Sequence, residues 1–425
     1  MVIVKHLCNI FKRTGTKIQS SLLLRREKRK KTDSSLLILD NFEPSWLLTG
    51  FRVTEFNYLL NNIPQSRLLT FSEDVFNYSD WKYRSSVGDI NWNFPMSIRK
   101  YNKYKRKYIS HFDLQDSQLL YMCADLKYNA RGAYCMFIYN AYLSYKFLEQ
   151  NNIPFVFTLF PGGGFRLNHS FSDHMLKSVF ASPMFRGVYA PQKVIVDYLV
   201  GKKLCPKEKI FFSYGGGFFQ FTKRDVLPHK NYKTDKPTLD ICFIAYKYMD
   251  KGLDKGFDLF VYAAREIIKK YPFVHFHNIG THTLDDFNDD FSDIQDNFHM
   301  YGSKTPDFFP EFFSKMDIAL SPNRPNVLDQ GAFDGFPLCV EPMFFGVPLF
   351  CTDELGLNYN YVPDKELVIV KPDVADIVSA IEFYIKHPKK LQDVGRAGQI
   401  KAQKYFDRKY QEEQRRKFIK KYLKI

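Results

Sequence analysis

Short, largely apolar runs recur along this chain, most of them followed by a segment with helical spacing. Leu36-Leu-Ile-Leu-Asp40, Phe155-Val-Phe-Thr-Leu159, Leu239-Asp-Ile-Cys-Phe-Ile-Ala245 and Glu366-Leu-Val-Ile-Val370 are examples. Strands that are apolar on both faces must be covered on both faces, and a parallel sheet sandwiched between helices does that. This alternation restricts the fold more than any other feature: α/β, with parallel sheets. The series runs twice. It stops near Gly217, crosses a stretch from Phe221 to Pro237 that holds five Lys or Arg and two prolines, and restarts at Leu239. A chain of 425 residues also exceeds one ordinary domain, so two are expected, joined at that stretch.

In order, the pattern predicts a strand at 36–40, a helix over 51–60 and a strand at 66–71, the opening of a Rossmann-like unit. A strand over 119–123, a helix over 132–150 and a strand over 155–159 follow. Strand and helix come again at 185–190 and 191–199, and a strand from Lys207 runs into Gly215-Gly-Gly217. The second series has strands at 239–245, 272–280, 298–302, 317–322, 347–351 and 366–370. Its helices run through Lys270 and over 306–316, 338–345 and 375–387, with a basic helical tail from Lys389 to Ile425. The expected plan is a basic N-terminal segment (1–35), an N-terminal Rossmann-like domain (36–232), a C-terminal Rossmann-like domain (233–400) and a terminal helix (401–425).

Composition narrows the class. Hydrophobic residues at 45% and aromatics at 17% are enough for large cores and exclude a disordered chain. Seven scattered cysteines without a Cys-x-x-Cys pair point to neither a zinc site nor a disulfide framework. They read as reduced, mostly buried thiols of a cytoplasmic protein. No apolar run approaches bilayer-spanning length, and the first residues lack the apolar core and cleavage site of a secretion signal.

The net charge of +15 favours an acidic partner: a phosphorylated substrate, anionic lipid or nucleic acid. Two stretches concentrate it. Val2, Val4, Leu7, Ile10 and Phe11 can form an apolar stripe beside a block from Phe11 to Lys31 with net charge +8. That segment is either a solvated tail or one that lies on an anionic membrane face. Ile98 to Tyr108 interleaves basic residues with tyrosines. It reads as a solvated helix face, a membrane or acceptor surface, or a single-strand binder. No nucleic-acid motif accompanies it, so nucleic acid is not the expected partner. His275 and His277 share one strand face without a third ligand nearby, so no metal site is expected there.

Three stretches carry candidate chemistry. The first is Gly331-Ala-Phe-Asp-Gly-Phe-Pro-Leu-Cys-Val-Glu-Pro-Met-Phe-Phe-Gly-Val-Pro-Leu-Phe350. Gly335 permits unusual dihedrals and Pro337 suits a first helical position, so a sharp loop should feed a short helix that Gly346 stops. Such a loop leaves backbone N–H groups free for an anion. Glu341, just beyond the first turn, can accept hydrogen bonds from ligand hydroxyls. The second stretch is Phe160-Pro-Gly162-Gly163-Gly164-Phe-Arg166, a strand running into three glycines that bring backbone close to a ligand or make a strained turn. Arg166 and His169 could meet a phosphate or sugar there. The third is Lys255-Gly256-Phe257-Asp258, between a strand and a helix, with Lys247 upstream.

Asp334-Gly335-Phe336, then Glu341-Pro342-Met343, then Gly346-Val347-Pro348 resemble the donor-site helix of the GT-B glycosyltransferases, specifically the retaining family-4, or group 1, enzymes. Six residues separate the two acids here, where the family has seven. Lys255-Gly256-Phe257-Asp258 resembles the family's Lys-Gly signature, and Lys247 stands where its earlier arginine is expected, with a longer loop between. Gly162 to Gly164 resemble the glycine loop that faces the cleft from the first domain. The resemblance is clearest over 239–410 and extends over 36–220.

What the resemblance implies is a GT-B fold, two Rossmann-like domains facing across a cleft, with the terminal helix crossing back. It implies transfer of a sugar, a hexose by type, from a nucleotide-diphosphate sugar to a glycan or lipid-linked acceptor hydroxyl, with retention, in polysaccharide or glycoconjugate biosynthesis. Lys255, Lys247 and the N–H groups of Phe336, Pro337's neighbour Leu338 and the Gly335 turn would hold the leaving diphosphate. Glu341 would hold the ribose, and Asp334 would face the transferred sugar. Asp334, Lys255 and Glu341 are the catalytic candidates; Gly162, Gly163, Gly164 and Arg166 would lie on the acceptor or phosphate side. No Asp-x-Asp motif stands in a suitable loop, so no metal and no cofactor beyond the donor is expected. The protein would be cytoplasmic, with an anionic membrane's inner face as a further candidate partner. Two rivals stay open: a different enzyme on the same plan, such as an inverting transferase or a sugar-phosphate-releasing hydrolase, and a non-catalytic basic protein at membrane or nucleic acid.

Overall fold

The computed structural model describes residues 33–40, 46–70, 106, 119–121, 127–214, 221–325, 340–356 and 360–425. The segment 1–32, all of Ile98–Tyr108 except Arg106, and the loop with Asp334, Gly335, Phe336, Pro337 and Leu338 lie outside the described residues.

The first sheet holds β1 (Asp33–Asp40), β2 (Arg67–Thr70), β3 (Leu119–Tyr121), β4 (Asn129–Met136), β5 (Phe155–Thr158), β6 (Phe185–Ala190) and β7 (Ile210–Phe212). Its order is β3-β2-β1-β4-β5-β6-β7 and every pairing is parallel. The second holds β8 (Leu239–Ala245), β9 (Val274–Gly280), β10 (Phe298–Met300), β11 (Ile318–Ser321), β12 (Leu349–Cys351) and β13 (Val368–Ile369). Its order, β10-β9-β8-β11-β12-β13, is again wholly parallel. In both sheets the winding reverses beside the first strand, between β1 and β4 and between β8 and β11. The carboxyl ends of strands at such a reversal frame a ligand crevice.

The described helices are α1 (Trp46–Asn62), α2 (Ile138–Gln150), α3 (Ser170–Phe180), α4 (Lys193–Gly201), α5 (Phe257–Lys270), α6 (Phe309–Phe313), α7 (Glu341–Phe344), α8 (Val374–Lys386), α9 (Pro388–Tyr405) and α10 (Arg408–Leu423). α5 shows how they form. Phe257, Phe260, Val261, Ala264, Ile267 and Ile268 recur at helical spacing and are buried, and Lys269 and Lys270 sit at the negative end of the helix dipole. Among the described residues no helix is long and apolar enough to cross a membrane.

Two expectations are corrected. Residues 132–136, read as the start of a helix, are the buried end of β4, slotted between β1 and β5. Alanine and methionine there favour helix, but the sheet position overrides that preference. No breaker marks the change either. The corner is made by Phe137, at φ 72° and ψ 149°, a conformation a side chain rarely adopts. The basic tail is helical as expected, but the terminal helix expected over 401–425 begins at Arg408, after a break that ends α9 at Tyr405. Phe406 is fully buried, and the Asp407 carboxylate accepts from the N–H groups of Lys409 (3.0 Å) and Tyr410 (3.3 Å), starting α10 afresh.

That new start redirects the chain onto the first sheet. Phe418, Ile419 and Leu423 of α10 join Leu36, Ile38, Val156 and Tyr189 in one apolar cluster. Each such side chain contributes about 1.5–3 kcal/mol on burial. Arg415 enters the same interior. Its guanidinium meets Glu55 Oε1 at 2.7 Å, donates to Thr158 Oγ1 at 2.9 Å, and lies 3.7 Å from the centre of the Tyr189 ring. Tyr134 completes the group, its hydroxyl donating to Glu55 and lying 2.7 Å from Thr158 Oγ1. One helix from the far end of the chain therefore fills both the apolar and the polar needs of the first sheet.

Candidate active site

The second sheet's reversal point is built from two short segments. One follows β8 and runs from Tyr246 to Gly256; the other follows β11 and begins with Pro322, Asn323 and Arg324. They interlock through backbone. Gly256 has φ 73°, and a Cβ there would run into the Pro322 carbonyl, so only glycine permits this approach. The Arg324 N–H donates to the Asp254 carbonyl at 3.0 Å, and its guanidinium donates to the Leu253 carbonyl at 2.9 Å. The same guanidinium grips both oxygens of Asp258, at 2.7 and 2.9 Å.

Lys255 is held inside this interlock. It is 8% exposed, and its ammonium lies 5.6 Å from the centre of the Tyr248 ring, which stands 68% exposed. Burial pulls the Lys255 pKa down to about 8, against the pull of neighbouring Asp254. A cation so placed carries a standing desolvation cost that an incoming anion would relieve. Lys247, the other expected cation, is fixed differently. Its N–H donates to Thr281 Oγ1 at 3.0 Å and its ammonium is paired with Asp286. The neutral His282 underpins the segment. It is buried, its ring stacks on Phe257 at 4.6 Å, and burial lowers its pKa to about 4.

Glu341 opens α7, on the connection that leaves the carboxyl end of β11 and returns to β12. Burial raises its carboxyl pKa to about 7. Its backbone neighbours confirm the expected short helix and stop: α7 ends at Phe344 and Gly346 turns the chain at φ 95°. Arg324 and His282 were not singled out from sequence. Arg324 had one legible signal, a cation three residues past the end of a strand; His282 stood two residues past another.

On the first sheet, the triple glycine follows β5 at the carboxyl edge. Gly162, Gly163 and Gly164 all have positive φ, at 75°, 52° and 94°, and a Cβ on Gly163 would strike the Phe137 ring. The loop is pinned by Tyr139 N–H to the Gly163 carbonyl (3.1 Å) and by Ser172 Oγ to the Gly164 carbonyl (2.7 Å). Arg166 is partly exposed beside it, its N–H donating to Ser172 Oγ at 2.9 Å. His169 has a structural task, accepting from the Ser172 N–H at 3.4 Å at the start of α3. His275 and His277 do not stand alone: His299 lies 3.0 Å from His275, and His277 pairs with Asp240 at 2.8 Å. Even so, no group of three possible ligands that could hold a metal occurs among the described residues.

Two doubly wound parallel sheets and a helix returning from the end of the chain to the first are the architecture of the GT-B fold. Residues 246–401 match the family described as Glycosyl transferases group 1, so the chain carries a group 1 glycosyltransferase domain. Among solved structures, HepE of Anabaena in complex with UDP and glucose is similar at a TM-score of 0.62 and 13% identity, covering 92% of this chain and 100% of that one. Sucrose-phosphate synthase of Thermosynechococcus elongatus (TM-score 0.58, 12% identity, 92% and 99% covered) has the same fold. So does a glycosyltransferase of Rickettsia africae (TM-score 0.59, 13% identity, 92% and 99% covered). No curated protein sequence matches the chain.

Proposed function

We propose that this glycosyltransferase moves a sugar from a nucleoside-diphosphate sugar to a hydroxyl of a glycan or lipid-linked acceptor, with the anomeric configuration retained and in polysaccharide or glycoconjugate biosynthesis. The observation that carries the reading is Lys255: an ammonium buried at the carboxyl edge of the second sheet's switch point, with its pKa lowered by burial. As the anomeric bond breaks, positive charge grows on the sugar and negative charge on the departing diphosphate. Lys255 stabilises that negative charge in a site poor in water, where it counts most. Lys247 adds a second cation, already oriented by Asp286. Glu341 receives the ribose hydroxyls, and Asp334 with the backbone around Gly335 to Leu338 receives the transferred sugar and phosphates. Gly162 to Gly164 and Arg166 face the acceptor. That HepE has been seen with UDP and with UDP-glucose supports a nucleotide-sugar donor.

Charge neutralisation by lysine makes the reaction independent of a divalent metal in this reading, so excess EDTA leaves the rate unchanged. The enzyme would work in the cytoplasm, at a membrane's inner face if the acceptor is lipid-linked. The shortened spacing between Asp334 and Glu341 favours one second reading, an inverting enzyme on the same plan. The deciding experiment has two steps. A panel of nucleotide sugars is screened for a rise in Tm of the purified protein, since a ligand that binds only the folded state stabilises it. The stabilising donor is then used in turnover, and the product anomer is assigned by proton NMR. No stabilising donor, or no transfer to any hydroxyl, defeats the proposal; an inverted anomer moves it to the second reading.

The two shifted groups set a pH window. Glu341 accepts hydrogen bonds from two hydroxyls only as a carboxylate, which it becomes as pH rises through about 7. Lys255 carries its charge only below about 8. The kcat/KM profile for the donor should therefore rise through about 7 and fall through about 8, a narrow bell reporting the free enzyme. In Glu341→Gln the acid limb should disappear and the alkaline limb remain.

A further inference from the structure

We infer that Arg324 is a positioning residue for the donor site: it acts on the diphosphate through Lys255, by locking the segment that carries it. This rests on the reading of Lys255 given above. The geometry is specific. Arg324 makes four hydrogen bonds, and all four go to the segment 253–258: to the Leu253 and Asp254 carbonyls and to both carboxylate oxygens of Asp258. These three residues bracket Lys255. The side chains of Arg324 and Asp258 are 21% and 14% exposed, so the fork is largely shielded from water, where a bidentate guanidinium pair is strong and directional.

The Lys255 N–H donates to the Gly252 carbonyl at 3.0 Å, and Arg324 adds ties on both flanks. Upstream, the chain reaches it from the irregular turn at Lys251, which itself has φ 51°. Downstream, Gly256 removes any side-chain contact of its own. Arg324 bridges the gap, tying residues before Lys255 by their carbonyls and the helix after it by Asp258. Arg324 itself leaves β11 three residues earlier, and a strand end is a rigid base for such a lock. The consequence is that the ammonium stays in place before any donor arrives, so the site does not have to order it on binding.

The test is a double-mutant cycle read by calorimetric titration, with UDP, GDP and ADP offered and the tightest carried forward. Arg324→Gln in the wild-type background should weaken binding at least about tenfold. In a Lys255→Ala background the same change should cost less than about twofold, because the group it positions is gone. Asp258→Asn should repeat the pattern. Arg324→Lys, which keeps the charge and loses the fork, should fall nearer to Gln than to wild type. If Arg324→Gln fails to fold, Arg324→Lys and Asp258→Asn carry the same cycle. Equal losses in both backgrounds, or no loss in either, would overturn the assignment. If Lys255→Ala alone leaves every nucleotide bound as before, the reading of the donor site fails instead.

Discussion

Lys255→Ala should lower kcat/KM for the sugar donor at least about a hundredfold, equivalent to about 2.7 kcal/mol of transition-state stabilisation. The same variant should melt no lower than the wild type. The reasons are linked. An ammonium kept at 8% exposure with its pKa drawn down to about 8 is a cost to the folded state, and catalysis is what the cost supports. The sign can be checked against pH. The folded-state value lies below that of an unfolded lysine, so between about 8 and about 10 the unfolded chain binds more protons and wild-type stability rises with pH. Lys255→Met should lack that rise. A hundredfold loss of turnover together with an unchanged or raised Tm would separate a working cation from a structural one; a fall of several degrees in Tm with turnover intact would reverse the assignment.

The largest effect on stability should come from Arg415→Ala, at about 3–5 kcal/mol, measured by urea denaturation at pH 7. The guanidinium and the Glu55 carboxylate are both essentially inaccessible to water, at 1% and 0%. Removing the cation strands the anion, the change that makes broken buried pairs so costly. Burial already raises the Glu55 pKa, and Arg415 is the main influence holding it down. In the variant Glu55 should stay protonated to a higher pH than any exposed glutamate. Stability should then fall as pH rises from 5 to 8, because the unfolded chain gives up the Glu55 proton over that range while the folded state must keep it. Arg415→Ala, Glu55→Gln should recover part of the loss. A cost under about 1 kcal/mol would mean that water reaches the pair.

How much of this was visible in the sequence depended on what kind of signal each element left. The parallel sheets were legible because their strands are buried on both faces and so are mostly apolar, as in Leu36–Leu39 and Ile241–Phe243. The Lys255 segment was legible because a Lys-Gly placed between a strand and a helix has few other uses. β4 was hidden because its corner residue is Phe137, and a strained aromatic gives no warning of a turn where glycine or proline would. The Arg324 lock was hidden for a different reason. Its partners lie about seventy positions away and are bound through backbone carbonyls, which any residue type supplies. The Arg415 network posed the same difficulty at greater range: an arginine in a basic tail looks solvated until Glu55, 360 positions earlier, is brought against it.

That separation has a consequence for how the protein is made. Segments near the start of a nascent chain ordinarily settle while the ribosome is still working on the rest. Here the first half emerges with a charged carboxylate and an apolar trough whose complement has not yet been translated. Its interior can close only after α10 has been released, so the portion synthesised earliest should be the last to become resistant to protease.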